Sequence, residues 1–215
     1  MREFKGVIMD LDGTVLDSAH VWSRVDEIFL QRRGFAVPDD YMEAISTIGF
    51  SRAADYTITR FRLNEEPQAI MAEWLALAGE AYANDVGLKP GVYAYLEHLQ
   101  RLQIPVAVAT SNHPDLYRSA LDRNGITRFF SAHTVAAEVK TGKDQPDIYH
   151  LAASKLGLAA SDCLVFEDIV EAARGAKKAG AAVIGVFDIA VKQHFEMLRQ
   201  VTDRVIYDFR ELIEE

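Results

Sequence analysis

Apolar residues in this chain gather in short, little-interrupted runs instead of alternating with polar ones. Residues 4–9 (FKGVIM), 104–109 (IPVAVA), 163–166 (CLVF) and 181–187 (AAVIGVF) are such runs. Residues 132–136 form a weaker one, and 204–207 are a sixth candidate. A strand with one wet face alternates, whereas a parallel strand covered by helices on both faces reads as a continuous apolar segment. Between the later runs lie segments with helical spacing, at 92–102, 114–124, 146–156 and 169–179. The first follows Pro90-Gly91, and the other three end before Gly125, Gly157 and Gly180, as helices with a C-terminal glycine do. Strand and helix in turn, with short links, predict an α/β fold with a doubly wound parallel sheet.

One interval breaks this rhythm. From Asp10 to Ile104 some ninety residues pass without a convincing strand. A crossover between parallel strands needs only a dozen or so. The surplus reads as helices at 19–33, 39–47, 52–62 and 67–84. We expect a small helical domain, residues 17–86, inserted after the first strand of a core made of residues 1–16 and 87–215. Hinges are then expected at 16–18 and 85–89.

Composition narrows the function. The net charge of −9 over 215 residues, with no long basic run, disfavours a protein that binds nucleic acid by neutralising phosphates. No apolar stretch approaches the length of a membrane span, and the N-terminal run is too short for a signal-peptide core. Cys163 is the only cysteine, so no internal disulfide can form, which fits a cytoplasmic protein. Zinc-type Cys/His spacing is absent.

The polar residues of interest follow the strands. In open α/β sheets, ligands sit at the carboxyl ends of the strands. The first run ends in Asp10-Leu11-Asp12-Gly13-Thr14. Two carboxylates this close repel unless a proton or cation intervenes, and a hard divalent cation such as Mg²⁺ is the natural partner. Asp-Gly turns after strands are also common without any ligand. The second run ends in Thr110-Ser111-Asn112, which suits a phosphate oxygen and equally a helix cap. After the third comes Thr141-Gly142-Lys143. It is not a P-loop, because the upstream glycine and the following Ser/Thr are missing. The fourth ends in Glu167-Asp168. Three carboxylates from two strands, a hydroxyl pair and a lysine make a metal-assisted phosphoryl-transfer site. Separate caps would have to coincide at one sheet edge to imitate it.

In these four places the chain resembles the haloacid dehalogenase superfamily. Asp10-Leu11-Asp12-Gly13-Thr14 matches its DxDx[TV] motif, and Thr110, or Ser111 beside it, matches the second motif. Lys143, followed by Pro146, Asp147, Ile148 and Tyr149, matches the third, and Glu167-Asp168 matches the fourth. The insertion resembles the small α-helical cap of β-phosphoglucomutase-like phosphatases. The resemblance implies that Asp10 is the nucleophile forming an aspartyl-phosphate and that Asp12 is the general acid/base. It implies Mg²⁺ held by Asp10, the Asp12 main-chain carbonyl and Asp168, with Glu167 supporting them. Thr110, Ser111, Asn112 and Lys143 would hold the phosphoryl group, and Lys143 would also orient Asp10. Relatives often read E-D-S-x-x-G at the fourth motif, whereas Ile169 and Ala172 stand here in place of the Ser and the Gly.

The expected function is Mg²⁺-dependent hydrolysis of a small phosphate monoester, a sugar phosphate being one candidate. A small phosphorylated metabolite is the expected partner, with no nucleic acid or membrane, and the chain is expected to be a monomer or weak homodimer. A phosphomutase of the same fold is the alternative. Against it, Trp22 stands where β-phosphoglucomutase has a hinge histidine. A phosphonate hydrolase would need a cap lysine, and residues 17–86 contain none. A non-catalytic binding protein on the same fold is a further alternative. In the cap, Arg52 within Ile48-Gly49-Phe50-Ser51-Arg52 is a candidate for an anionic group on the substrate by bidentate contacts, or a solvated residue after a helix cap. Trp22, Phe29, Trp74 and Tyr82 read mostly as cap core, with Trp22 at the site entrance. His113 is the histidine nearest the predicted site.

Overall fold

The structure is a computed structural model that describes residues 3–213. Met1 and Arg2, part of the N-terminal segment read above, lie outside the described residues. The chain forms β1 (Gly6–Met9), then α1 (Ala19–Gln31), α2 (Tyr41–Ile45), α3 (Phe50–Phe61), α4 (Pro67–Asn84) and α5 (Val92–Arg101). It continues through β2 (Val106–Thr110), α6 (Pro114–Arg123), β3 (Phe130–Val135), α7 (Asp147–Lys155) and β4 (Cys163–Glu167). It ends with α8 (Val170–Lys178), β5 (Ala182–Val186), α9 (Phe195–Val201) and β6 (Arg204–Ile206). All six expected strands form, each within a few residues of its apolar run.

The strands make one sheet in the order β3-β2-β1-β4-β5-β6, every pair parallel. β1 is central and fully buried, so its residues pack on both faces. Val7 and Met9 join one buried cluster with Tyr95, Leu96, Leu121 and the α1–α4 helices. Ile8 points the other way and joins Ile148, Tyr149, Ala173 and Ala176 of α7 and α8. Chain order turns back at β1, with β2 on one side and β4 on the other. This is the crevice where doubly wound sheets bind ligands.

Helices α1–α4 occupy the long strandless interval. Their buried side chains Val25, Phe29, Ile70, Trp74, Ala78 and Tyr82 come from the inner faces of α1 and α4. Arg33 ties the same two helices from outside, bonding Glu65 and Glu73 while its guanidinium stacks over Phe29. The segments that lead in and out of this region run antiparallel. Leu16 bridges Leu88, Asp17 N–H donates to Gly87 O at 3.0 Å, and Lys89 N–H to Val15 O at 2.9 Å.

One helix was not anticipated. α9 is seven residues long, and among its side chains only Leu198 is buried. It seats where Gly185 of β5 leaves room, since a β-carbon there would sit 2.9 Å from Leu198 Cγ.

Candidate active site

Strand register brings the acidic residues together. Met9 pairs with Phe166, and Asp10 N–H donates to Phe166 O at 3.1 Å, so Asp10 and Glu167 leave the sheet side by side. Lys143 arrives from the loop before α7. Its Nζ lies 2.6 Å from Asp10 Oδ1 and 2.6 Å from Glu167 Oε1, and all three side chains are buried. The Tyr149 hydroxyl donates to Glu167 Oε1 at 2.7 Å. Burial opposes the charge on Lys143, but Asp10 and Glu167 outweigh it and hold the ammonium above its ordinary pKa. Gly175 on α8 lets the Lys143 loop close in, because a β-carbon at that position would collide with Lys143 O.

Asp10, Glu167 and Asp168 can each offer an oxygen within 4.8 Å of the others. Burial, then repulsion from Asp10 and Glu167, lifts Asp168 well above the usual carboxylate range. Crowded, desolvated carboxylates of this kind are relieved by a cation. An all-oxygen donor set suits a hard divalent ion such as Mg²⁺, so these residues fit the expected metal. Two neighbours complete the corner. Gly13 has φ +80, and a β-carbon on it would collide with Asp168 Oδ2. The Thr14 hydroxyl donates to Asp168 Oδ1 at 3.1 Å, supplying a hydrogen bond to this carboxylate although Ile169 replaces the usual serine. Glu167, expected to support the ligands, joins Asp10 and Asp168 in this side-chain cluster.

Both oxygens of Asp12 are taken. Oδ1 accepts from the Ser18 hydroxyl at 2.6 Å and from the Tyr82 hydroxyl, and Oδ2 accepts from Asn112 Nδ2 at 2.8 Å. Tyr82 in turn accepts from Trp22 Nε1 at 2.7 Å. A relay from α1 and α4 thus ends on the second aspartate. Burial, and then the Asp10 charge, raises the Asp12 pKa, while the three donors hold it down.

Of the second-motif residues, Thr110, Ser111 and Asn112 all line the same pocket. Thr110 Oγ1 accepts from Asn112 N–H at 3.1 Å. Ser111 Oγ is buried with no partner. Arg52 departs from expectation. Its guanidinium donates to the main-chain oxygens of Ile48 (2.5 Å), Lys140 (2.6 Å), Thr141 (2.5 Å) and Ala136 (3.3 Å). It braces α3 against the Lys143 loop and does not line the pocket. The carbonyls crowded at its donors explain why it is not presented to an anion. His113 caps α6, accepting from Asp115 N–H, and packs on Phe50.

The pocket, about 140 Å³, joins these groups to a second wall. It holds on the order of ten water-sized volumes, enough for a small molecule and too little for a polymer. Trp22, Met42, Ile45, Phe50, Ala53 and Trp74 of α1–α4 form the apolar side, with Asp26 among them. Sequence reasoning gave no bonding role to Tyr82, Tyr149, Thr14 or Asp26, although Thr14 and Tyr149 stand inside the matched motifs. Asp12 to Tyr82 and Glu167 to Tyr149 are long-range pairs with no local signature.

A doubly wound sheet whose switch-point crevice holds a carboxylate–lysine–carboxylate cluster defines an α/β enzyme class built for charged-group transfer. Residues 4–180 match the model of the haloacid dehalogenase-like hydrolases, and the chain belongs to that family. It is 32% identical to hexitol phosphatase A of Escherichia coli over 85% of this chain and 82% of the relative. It is 27% identical to the fructose-1-phosphate phosphatase YqaB of the same organism over 86% and 97%. Its fold superposes on a β-phosphoglucomutase from Clostridium difficile with a TM-score of 0.81 at 20% identity, covering 97% of this chain and 93% of the other.

Proposed function

We propose that this hydrolase is a Mg²⁺-dependent phosphatase that cleaves a small phosphate monoester through a phosphoryl group carried on Asp10. In this reading residues 17–86 act as a cap that selects the substrate. The observation that carries the reading is the pairing of two differently prepared carboxyls. Asp10 is held ready by the Lys143 ammonium at 2.6 Å. Two residues on, Asp12 sits in a hydrogen-bonded cage where burial favours its protonated form. Two carboxyls in such different settings divide the roles of nucleophile and acid/base.

The steps follow from those positions. An Asp10 oxygen attacks phosphorus, and the bond to the ester oxygen breaks. Asp12 gives its proton to the departing alkoxide. Asp12, now a carboxylate, takes a proton from water as that water attacks the phosphoryl-aspartate, which releases phosphate and restores Asp10. Lys143, the Ser111 hydroxyl and the Thr110 hydroxyl are the phosphoryl-holding groups, and the buried, unpartnered Ser111 Oγ supports that use. Asp10 and Asp168, with Glu167 beside them, would hold Mg²⁺, whose charge would stabilise the transferring phosphoryl group.

Hydrolysis is favoured over mutase chemistry. A mutase must hold a second phosphate, yet Lys143 is the one cationic side chain among the described residues lining the pocket. The reading is tested by phosphate release from a panel of sugar phosphates, nucleotides and phosphorylated acids, with Mg²⁺ and with EDTA. Mg²⁺-dependent release that Asp10→Asn abolishes is the expected result. Isomer formation dependent on a bisphosphate, without net release, would contradict it.

A further inference from the structure

The apolar wall of the pocket contains two polar atoms with nothing to bond. Asp26 on α1 is 3% exposed, and its Oδ2 has no hydrogen-bond partner. Trp74 on α4 is also 3% exposed, and its Nε1 donates to nothing. Both line the pocket. Folded proteins pair the great majority of buried polar groups, and each orphan costs on the order of 1–3 kcal/mol.

Among the described residues no neighbour supplies the missing bonds. Tyr41 lies close enough to Asp26 for their charges to interact, but its hydroxyl is bonded to Thr57, whose own proton goes to Ala53 O. Phe50 packs edge-on against Trp74, and Trp22, Ile45 and Phe50 line the same pocket with mostly apolar surface. Ser46 and Thr47 add hydroxyls to the same lining, and the wall leaves one acceptor and one donor unmet in a largely apolar setting, a combination typical of ligand sites. It presents no cation. Arg52 is spent on carbonyls, and Lys143 is committed to Asp10 and Glu167.

We propose that Asp26 and Trp74 form the leaving-group subsite. It takes a phosphate monoester whose alcohol part is electroneutral, with a hydrogen-bond donor for Asp26 Oδ2 and an acceptor for Trp74 Nε1. Esters whose alcohol part carries a second phosphate or a carboxylate are rejected, because that anion meets a buried carboxyl and no counter-charge. This rests on the phosphatase reading above. A polyol, through its hydroxyls, and a nucleobase-type ring, through neighbouring N–H and C=O groups, both carry the required chemistry.

The test compares kcat/KM with Mg²⁺ for a hexitol phosphate and a pyrimidine nucleoside 5′-monophosphate against phosphoglycolate and a sugar bisphosphate. Acetyl phosphate, too short to reach the wall, reports the phosphoryl chemistry alone. The wild-type protein is expected to favour one of the neutral esters at least ~10-fold over both anionic ones, and the winner tells polyol from ring. Asp26→Asn and Trp74→Phe, both near-isosteric, are expected to lower kcat/KM for that ester ~10–100-fold. Their loss on acetyl phosphate should be at least ~10-fold smaller. Preference for an anionic ester would overturn the subsite and leave the phosphatase reading standing. So would equal losses on the large and small substrates. No release from any substrate, acetyl phosphate included, would overturn both.

Discussion

The two walls of the pocket are built on opposite plans. At the sheet edge the charged side chains are linked to one another. Lys143 joins Asp10 to Glu167, Tyr149 joins Glu167 to α8, and Thr14 bonds Asp168. On the helical side, aromatic and aliphatic groups dominate, and Asp26 Oδ2 and Trp74 Nε1 are left unmet. The first plan holds groups still before a substrate arrives, as electrostatic catalysis requires. The second leaves bonds to be made by the substrate, as selection requires. One side-chain relay, Trp22–Tyr82–Asp12, crosses between them, beside a main-chain bond from Lys143 N–H to Thr47 O at 2.8 Å.

Substitutions on the two walls should therefore fail differently. The largest effect is expected at the sheet edge. Lys143→Ala removes the charge between buried carboxylates, so turnover should fall ~10³-fold or more and stability by ~3–5 kcal/mol. Denaturant melts beside phosphate-release rates check both, and retention of either would show the network to be dispensable.

On the helical wall the sign of the stability change reverses. Burial raises the Asp26 carboxyl to about 7. The folded state then holds a proton that the unfolded chain releases near pH 4, so stability falls as pH rises from about 4 through about 7. Asp26→Asn should lack that loss and melt higher at pH 8, by on the order of 4 kcal/mol, while losing selectivity. Melts at pH 5 and pH 8 check this, and a pH-independent difference would contradict it.

Mg²⁺ should act only on the sheet edge. At ~100 times its dissociation constant it should add ~2.7 kcal/mol, raising Tm by ~5–10 °C. Asp168→Asn should remove most of that rise, and an unchanged rise would place the ion elsewhere.

The smallest effect belongs to the crossing link. Tyr82→Phe removes a donor that holds the Asp12 pKa down, so that pKa should rise further. A loss of ~10-fold in kcat is expected. The alkaline limb of the kcat/KM profile, where Asp12 loses the proton it must donate, should move to higher pH. A merely structural Tyr82 would lower the rate without moving the limb.

How much of this was legible in the sequence follows the range of the interaction. The strands are self-declaring, because a parallel strand buried on both faces needs nothing but apolar residues, as GVIM and CLVF show. The four site segments were legible because the fold brings strand ends to one edge, whatever their separation along the chain. Tyr82 reads as core, and its ring is buried, but nothing near it in sequence reports that its hydroxyl reaches Asp12. Asp26 has the same helical phase as Trp22 and Phe29, so its burial was implied by α1, but its lack of a partner was not. Neither sequence reading of Arg52, anion site or solvated residue, could show its bonds, because the carbonyls of residues 136, 140 and 141 become its neighbours only in the fold. α9 gave no periodic signal because a single side chain, Leu198, anchors it.

The central claim is that Asp10 carries the phosphoryl group. The most direct measurement is a rapid acid quench of turnover in Mg²⁺, followed by mass spectrometry of the peptide containing Asp10. The account predicts one added phosphoryl group on that peptide, lost on standing in base and absent with EDTA. It also predicts none in Asp10→Asn. Steady turnover with an unmodified Asp10 peptide, or a phosphoryl group trapped on another residue, would contradict it.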